Sequence, residues 1–276
     1  MRVGIIGCGN MGGAIAAGIR EGGLVEAGDL SLFDASTEVA SRLADEIGAH
    51  PAESLEDFAR DLGEGDVVVL AVKPHLIAKV ARDYAGAAGD ARDGMSVVSV
   101  AAGFARERLA EALGGKGVAV RVMPNVAARV GQAMTAIAFP DDATEDQRSS
   151  VSAVFEAIGE VLVLDEDLFS AYSALGGCSP AWLAAIADAF AQAGVAQGLT
   201  KAQAMAAITQ AMRGTADLLA SLGDGPAPAA TLVDQVCSPG GTTVAGLLAL
   251  EDRGMREAAH AAVAAAAERD RALGAD

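Results

Sequence analysis

The sequence predicts an α/β chain in which a doubly wound, largely parallel sheet is followed by an all-α domain. Three observations carry the prediction. Short β-rich runs alternate with amphipathic helical stretches through the first half. The run "VVVLAV" (67–72) is apolar at every position, the pattern of a parallel strand covered on both faces. After about Asp165 the strand signals stop and alanine takes over. The reading divides the chain at 164/165, into a dinucleotide-binding domain over 1–164 and a helical domain over 165–276.

In chain order, the expected strands are 2–6, 30–33, 67–72, 96–101, 118–123, 134–138 and 161–164, rich in branched aliphatic residues and bounded by turn formers. Segments 11–20 and 36–47 have the length of crossover helices. In the second half, helices are expected near 179–197, 200–222, 241–250 and 255–273. Thr200 with Gln203 forms a capping box, and Ser179-Pro180 reads as an N-cap followed by proline at the first helical position. The stretch "GDGPAPAA" (223–230) reads as a surface loop. Helices this rich in Ala, Leu and Gly have wide apolar faces, which predicts association of two copies through this half.

Composition narrows the function. The 276 residues carry 20 Lys and Arg against 37 Asp and Glu, a formal charge of −17, without a basic cluster interleaved with aromatics. Nucleic acid is therefore not expected as a partner, and an anionic ligand must be drawn in by local features such as helix N-termini. Three cysteines without CxxC spacing argue against a disulfide framework and a zinc knuckle. No metal site, membrane span or signal peptide is expected, and the compartment reads as cytoplasmic.

Gly7, Gly9 and Gly12 in "GIIGCGNMGGAI" form a G-x-G-x-x-G between a candidate strand and a candidate helix, the context of a dinucleotide fingerprint. Asp34 closes the next strand, about 20 residues on, where a carboxylate would accept from the ribose of NAD(H). Ser36, Thr37 and Arg42 lie just beyond and suit the 2′-phosphate of NADP(H), so cofactor choice stays open; Asp34 as a helix cap is the plainer alternative. "AVKPH" (71–75) and "RVMPN" (121–125) end strands at the carboxyl edge of the sheet, where ligands of open α/β folds bind. "SPGGTT" (238–243) bares backbone N–H groups at a helix entrance, a place for an anion or simply a capped turn. His50, His75 and His260 are scattered, and no G-x-S-x-G elbow is present. Cys178 and Cys237 read as small buried hydrophobes.

"GIIGCGNMGGAIAAG", "AVKPH", "SVAAG", "RVMPN" and "SPGGTT", in this order over nearly the whole chain, closely resemble pyrroline-5-carboxylate reductase. The resemblance implies an N-terminal Rossmann-like domain, a C-terminal dimerisation domain, assembly as a dimer or decamer, and reduction of a cyclic imine carboxylate to L-proline by NADP(H) or NAD(H). It implies cofactor contacts at Gly7, Gly9, Asn10, Met11, Gly12, Asp34, Ala71, Val72, Lys73, Pro74, Ala101, Gly103 and Asn125. It places the substrate at Gly240, Gly241, Thr242 and Cys178, its carboxylate on backbone amides and the Ser238 hydroxyl, and the Thr243 hydroxyl near the imine nitrogen. Reduction of a protonated imine yields a neutral amine, so the chemistry does not demand a histidine acid.

The chain departs from the family pattern at several places. Ser173, Cys178 and Ser179 replace Thr, Ser and Gly of the T-A-L-S-G-S-G-P-A-Y segment, Val126-Ala127 replaces T-P after M-P-N, and the region of Leu222 and Pro226 offers no acidic counterpart for the ring nitrogen. A different cyclic imine or a catalytically silent dinucleotide-binding paralogue are the alternatives. A β-hydroxyacid dehydrogenase would need its catalytic lysine at Lys201, without the asparagine neighbours expected there.

Overall fold

The computed structural model describes residues 1–60, 62–89, 94–223 and 228–274. Among the described residues eight strands make one sheet: β1 Val3–Ile6, β2 Leu30–Phe33, β3 His50–Pro51, β4 Val67–Leu70, β5 Ser96–Ser99, β6 Val118–Met123, β7 Ala133–Ala138 and β8 Gly159–Val163. Their spatial order is β3-β2-β1-β4-β5-β6-β7-β8, and every neighbouring pair is parallel except β6–β7. Strand order reverses between β1 and β4, and the crevice of a doubly wound sheet opens at that switch point.

Full burial of β4 explains its composition. Val67 and Val69 point into one core layer with Ile15, Ile19 and Phe155, while Val68 and Leu70 point into another with Phe58, Ile77 and Tyr84. The first layer is closed by helices α1 (Asn10–Glu21), α2 (Thr37–Ile47) and α6 (Glu145–Glu156), the second by α3 (Leu55–Arg60), α4 (Pro74–Ala88) and α5 (Arg106–Leu113). A smaller third cluster joins Ala136 and Ala138 of β7 to Phe169 and Tyr172 of α7 (Phe169–Tyr172).

β4 and β5 each end two residues earlier than the apolar runs predict. β4 stops at Leu70 because Pro74 opens α4 only four residues on, and β5 stops at Ser99, whose Oγ accepts from the Ala101 N–H at 3.3 Å. β3, two residues long, was not predicted.

By contact, the chain forms two compact units, residues 1–178 with 265–276, and residues 179–264. The segment after β8, with α7, thus groups with the sheet rather than with the helices that follow. The second unit contains α8 (Ser179–Ala196), α9 (Lys201–Ser221), α10 (Pro228–Val236), α11 (Thr242–Glu251) and the first half of α12 (Met255–Gly274). The capping box of α9 is present, Thr200 Oγ1 accepting from the Gln203 N–H and Gln203 Oε1 from the Thr200 N–H.

Three second-half expectations are corrected. Ser179-Pro180 does not start a helix: α7 runs through a wide π-type turn, Ser173–Cys178, directly into α8. A π-turn shifts the hydrogen-bond register by one residue, which accommodates a proline without an N–H. Without that break, Glu166–Ala196 becomes one helical run of 31 residues, apolar enough by length and composition alone to cross a membrane, where no run of that length was expected; 17% of its apolar window is buried. Of the expected loop 223–230, residues 224–227 lie outside the described residues, and α10 already begins at Pro228.

Burial differs sharply between the units. Among the described residues the three apolar clusters draw only on the first. In the second, α8 buries only Ala187 and Ala191, α9 only Ala204, and α11 none of its residues, while Leu183, Ile186 and Phe190 of α8 stay about half exposed. An apolar surface of this extent on one protein marks an association face.

Candidate active site

The glycine fingerprint sits where β1 enters α1, and each glycine answers a different demand. Gly7 takes φ +101°, and a Cβ there would lie 2.8 Å from the Ala71 carbonyl carbon and oxygen. It therefore lets β1 and the "AVKPH" turn after β4 touch at the switch point. Gly12 lies against the same loop: its Cβ would overlap the Gly7 carbonyl oxygen and stand 3.1 Å from Ala71 Cβ. Gly9 meets no atom within 4 Å, so no packing within the chain requires a glycine there. That bareness is what close approach of a ligand's diphosphate needs. Gly9 is also the N-cap of α1, with no side-chain cap bond and no acid in the first turn. The N–H groups of Asn10 and Met11 thus stand at a positive helix end, suited to an anion.

Asp34, at the tip of β2, braces this loop. Its Oδ2 accepts from the Cys8 N–H at 2.8 Å and its Oδ1 from the Ser36 N–H at 2.9 Å. Ser36, not Asp34, occupies the N-cap of α2. Burial first, and the charge of Asp34 second, push the Cys8 thiol up to about 12, so Cys8 is a protonated packing group. A concave cavity of about 750 Å³ opens at Cys8, Gly9 and Asn10, and is lined across from them by Arg42 of α2 and by Arg129. Arg129 was not foreseen as a site residue: it lies on a short 3-10 turn, Val126–Val130, whose return to the glycine loop is a tertiary event.

The remaining cofactor candidates flank the same edge. Lys73 is the N-cap residue of α4 and Pro74 its first residue, following Ala71 and Val72. Ala101 is buried; Gly103 takes φ +70° and packs against Leu273, 3.5 Å from where its Cβ would be. Asn125 follows β6 by two residues, its Oδ1 accepting from the Ala127 N–H at 3.0 Å and its Nδ2 donating to the Gly176 carbonyl at 2.7 Å. The structure thus brings "RVMPN" against the wide turn that ends in Cys178. Cys178 and Cys237, expected to be buried, are both half-buried.

In the second unit, "SPGGTT" forms a tight turn into α11. The Gly241 N–H donates to the Ser238 carbonyl at 3.0 Å, and Gly240 takes φ +69°. A Cβ on Gly241 would collide with Ser238 Oγ, so this glycine lets the hydroxyl lie over the helix entrance. Gly241 is the N-cap of α11, again without a side-chain cap bond or a first-turn acid, leaving the Thr242 and Thr243 N–H groups at a bare positive end. Thr243 also lines an apolar groove of about 350 Å³ with Thr215, Leu218, Val236, Cys237 and Leu247. Lys201 is held in an exposed ion pair with Asp188, Nζ to Oδ1 2.5 Å, and Asp188 is held below the usual carboxylate range mainly by that hydrogen bond. Lys201 is a surface residue, which removes the support for a dehydrogenase lysine.

Comparison with known proteins agrees with this geometry. Residues 166–273 match the family model for pyrroline-5-carboxylate reductase dimerisation, and residues 2–103 match that for NADP oxidoreductase, coenzyme F420-dependent. The pyrroline-5-carboxylate reductase of Escherichia coli (strain K12) is 35% identical over 257 residues, covering 93% of this chain and 92% of its own. The structure of the Coxiella burnetii enzyme superposes with TM-score 0.89 at 28% identity, over 99% of this chain and 98% of that one. That of Plasmodium falciparum pyrroline carboxylate reductase with NADP bound gives 0.83 at 25%, with the same coverage. A fingerprint that leaves Gly9 bare, an uncapped α11 behind "SPGGTT" and near-complete coverage of these relatives lead to one conclusion: the chain belongs to the pyrroline-5-carboxylate reductase family.

Proposed function

We propose that the chain reduces 1-pyrroline-5-carboxylate to L-proline with hydride from NADPH or NADH. One observation supports the reading above others. In a chain of charge −17, both glycine-rich turns open helices that have neither a side-chain cap nor an acid in the first turn. Each is a local anion site in an otherwise repelling field. The first suits the cofactor diphosphate and the second the substrate carboxylate.

The bound nicotinamide supplies the hydride. The chain's own residues bind and orient. Asn10 and Met11 amides hold the diphosphate, Asp34 keeps the loop in place through Cys8, and Arg42 and Arg129 offer charge to the adenosine end. Ala71 to Pro74 together with Ala101 and Gly103 border the nicotinamide side. The amides behind Gly240 and Gly241, with Ser238 Oγ, hold the carboxylate, and Thr243 Oγ1 donates or accepts at the ring nitrogen. A protonated imine becomes a neutral amine on reduction, so positioning provides most of the rate, an effect that reaches about 7–11 kcal/mol in well-oriented systems.

The region 165–276 is proposed as the dimerisation and substrate-binding domain. The assembly is a cytoplasmic homodimer, with a decamer as its larger form. Ser173, Cys178 and Ser179, which depart from the family's segment, favour one secondary reading, preference for another cyclic imine. Purified chain given NADPH or NADH with 1-pyrroline-5-carboxylate should oxidise the cofactor, and no oxidation of either would defeat the proposal. Faster turnover of a six-membered cyclic imine carboxylate would favour the secondary reading.

A further inference from the structure

We infer that Asn125 is a positioning residue that ties the wide turn Ser173–Cys178 to the cofactor cradle and so sets where the Gly176–Cys178 backbone stands. The inference rests on the proposed reaction. Both ends of the Asn125 amide are engaged within the chain. Oδ1 accepts from the Ala127 N–H and caps the 3-10 turn Val126–Val130; Nδ2 donates to the Gly176 carbonyl, 51 residues away in sequence.

The two bonded segments carry different residues, Arg129 on the 3-10 turn and Cys178 on the wide turn. The 3-10 turn packs against α1 and carries Arg129 to the cavity at Gly9. The wide turn carries Gly176, Gly177 and Cys178, with Gly177 seated over Met123 of β6, whose Cε lies 3.1 Å from where a Cβ would be. From the far side the Tyr172 ring fills the space of a Gly176 side chain, and Tyr172 OH donates to the Met134 carbonyl at 2.5 Å. The Gly176 peptide is thereby fixed between a ring and an amide. A π-turn is an uncommon, weakly self-determined geometry, so an outside hydrogen bond that selects its register has leverage over everything it presents.

Asn125→Ser and Asn125→Asp separate the two bonds. Either short side chain still accepts at a cap position, but serine does not reach Gly176 and aspartate has no N–H to give it. Two readouts apply to each: steady-state kinetics with 1-pyrroline-5-carboxylate, and iodoacetamide labelling resolved cysteine by cysteine. We expect kcat/KM for the imine to fall about ten- to hundredfold, the cost of small misplacements of a reacting group. Cys178 should label several-fold faster while Cys237 keeps its rate and Cys8 stays protected. Unchanged kcat/KM for the imine, or unchanged labelling of Cys178, would overturn the inference. So would labelling of Cys8 in both variants, which would make Asn125 a general folding residue. If the wild type fails to oxidise NADPH with the imine, the proposed function fails, and the Cys178 labelling contrast still decides the clamp.

Discussion

Gly9→Ala should lower cofactor affinity while leaving stability almost unchanged. Gly9 has φ −74° and ψ −160°, extended backbone open to any residue, and no atom lies within 4 Å of the position its Cβ would take. The substitution introduces no strain, and the gain of about 0.4–1 kcal/mol from lost unfolded-state freedom is offset by the weaker N-cap that alanine makes, so Tm should stay within about 2 °C. The new methyl stands where the diphosphate must approach the helix end. Displacing that group should weaken NADPH binding about ten- to hundredfold, or about 1.4–2.7 kcal/mol. Calorimetric melting without cofactor and fluorescence titration with NADPH measure the two terms separately. Gly12→Ala is the contrasting case: its Cβ would overlap the Gly7 carbonyl oxygen, so it should lose both stability and affinity. An alanine at position 9 that binds NADPH as tightly as glycine would refute the assignment of this loop.

Thr243→Ala should lower kcat for the imine about ten- to a hundredfold, the scale of one lost donor at a reacting group, with NADPH affinity intact in titration. Cys8 links stability to alkaline pH. Its thiol is pushed up to about 12 in the fold from 9.0 in the open chain, so the native state binds the proton more tightly. That contribution is whole below pH 9 and declines as pH rises towards 12; Cys8→Ala should flatten this part of a denaturation-against-pH curve. Phe190→Asp places a charge on the half-exposed apolar face of α8 and should dissociate the assembly in light scattering, without loss of the sheet domain's circular dichroism.

Much of the first unit was legible because its signals are local. "VVVL" reads as a doubly covered strand, and both core layers take alternate residues of it. The glycine fingerprint could be placed since strand, turn and helix follow within a dozen residues. The Thr200–Gln203 box was readable for the same reason. What escaped is set by distant partners. Ser179-Pro180 carries every mark of a helix start, and only the π-turn before it turns the pair into helix interior. Asp34 could be read as a ribose acceptor or a cap, yet its brace to Cys8 depends on the parallel pairing of β1 and β2. Arg129 reaches the cavity through a 3-10 turn hidden in an Ala-Val segment, and the Asn125 bond to Gly176 joins two motifs that are far apart in sequence.

Isotope transfer tests the central claim most directly. Reduced cofactor carrying deuterium at its transferable position, incubated with this chain and 1-pyrroline-5-carboxylate, should yield proline bearing one deuterium at the former imine carbon. Proline without the label, or cofactor oxidised with no proline formed, would contradict the account.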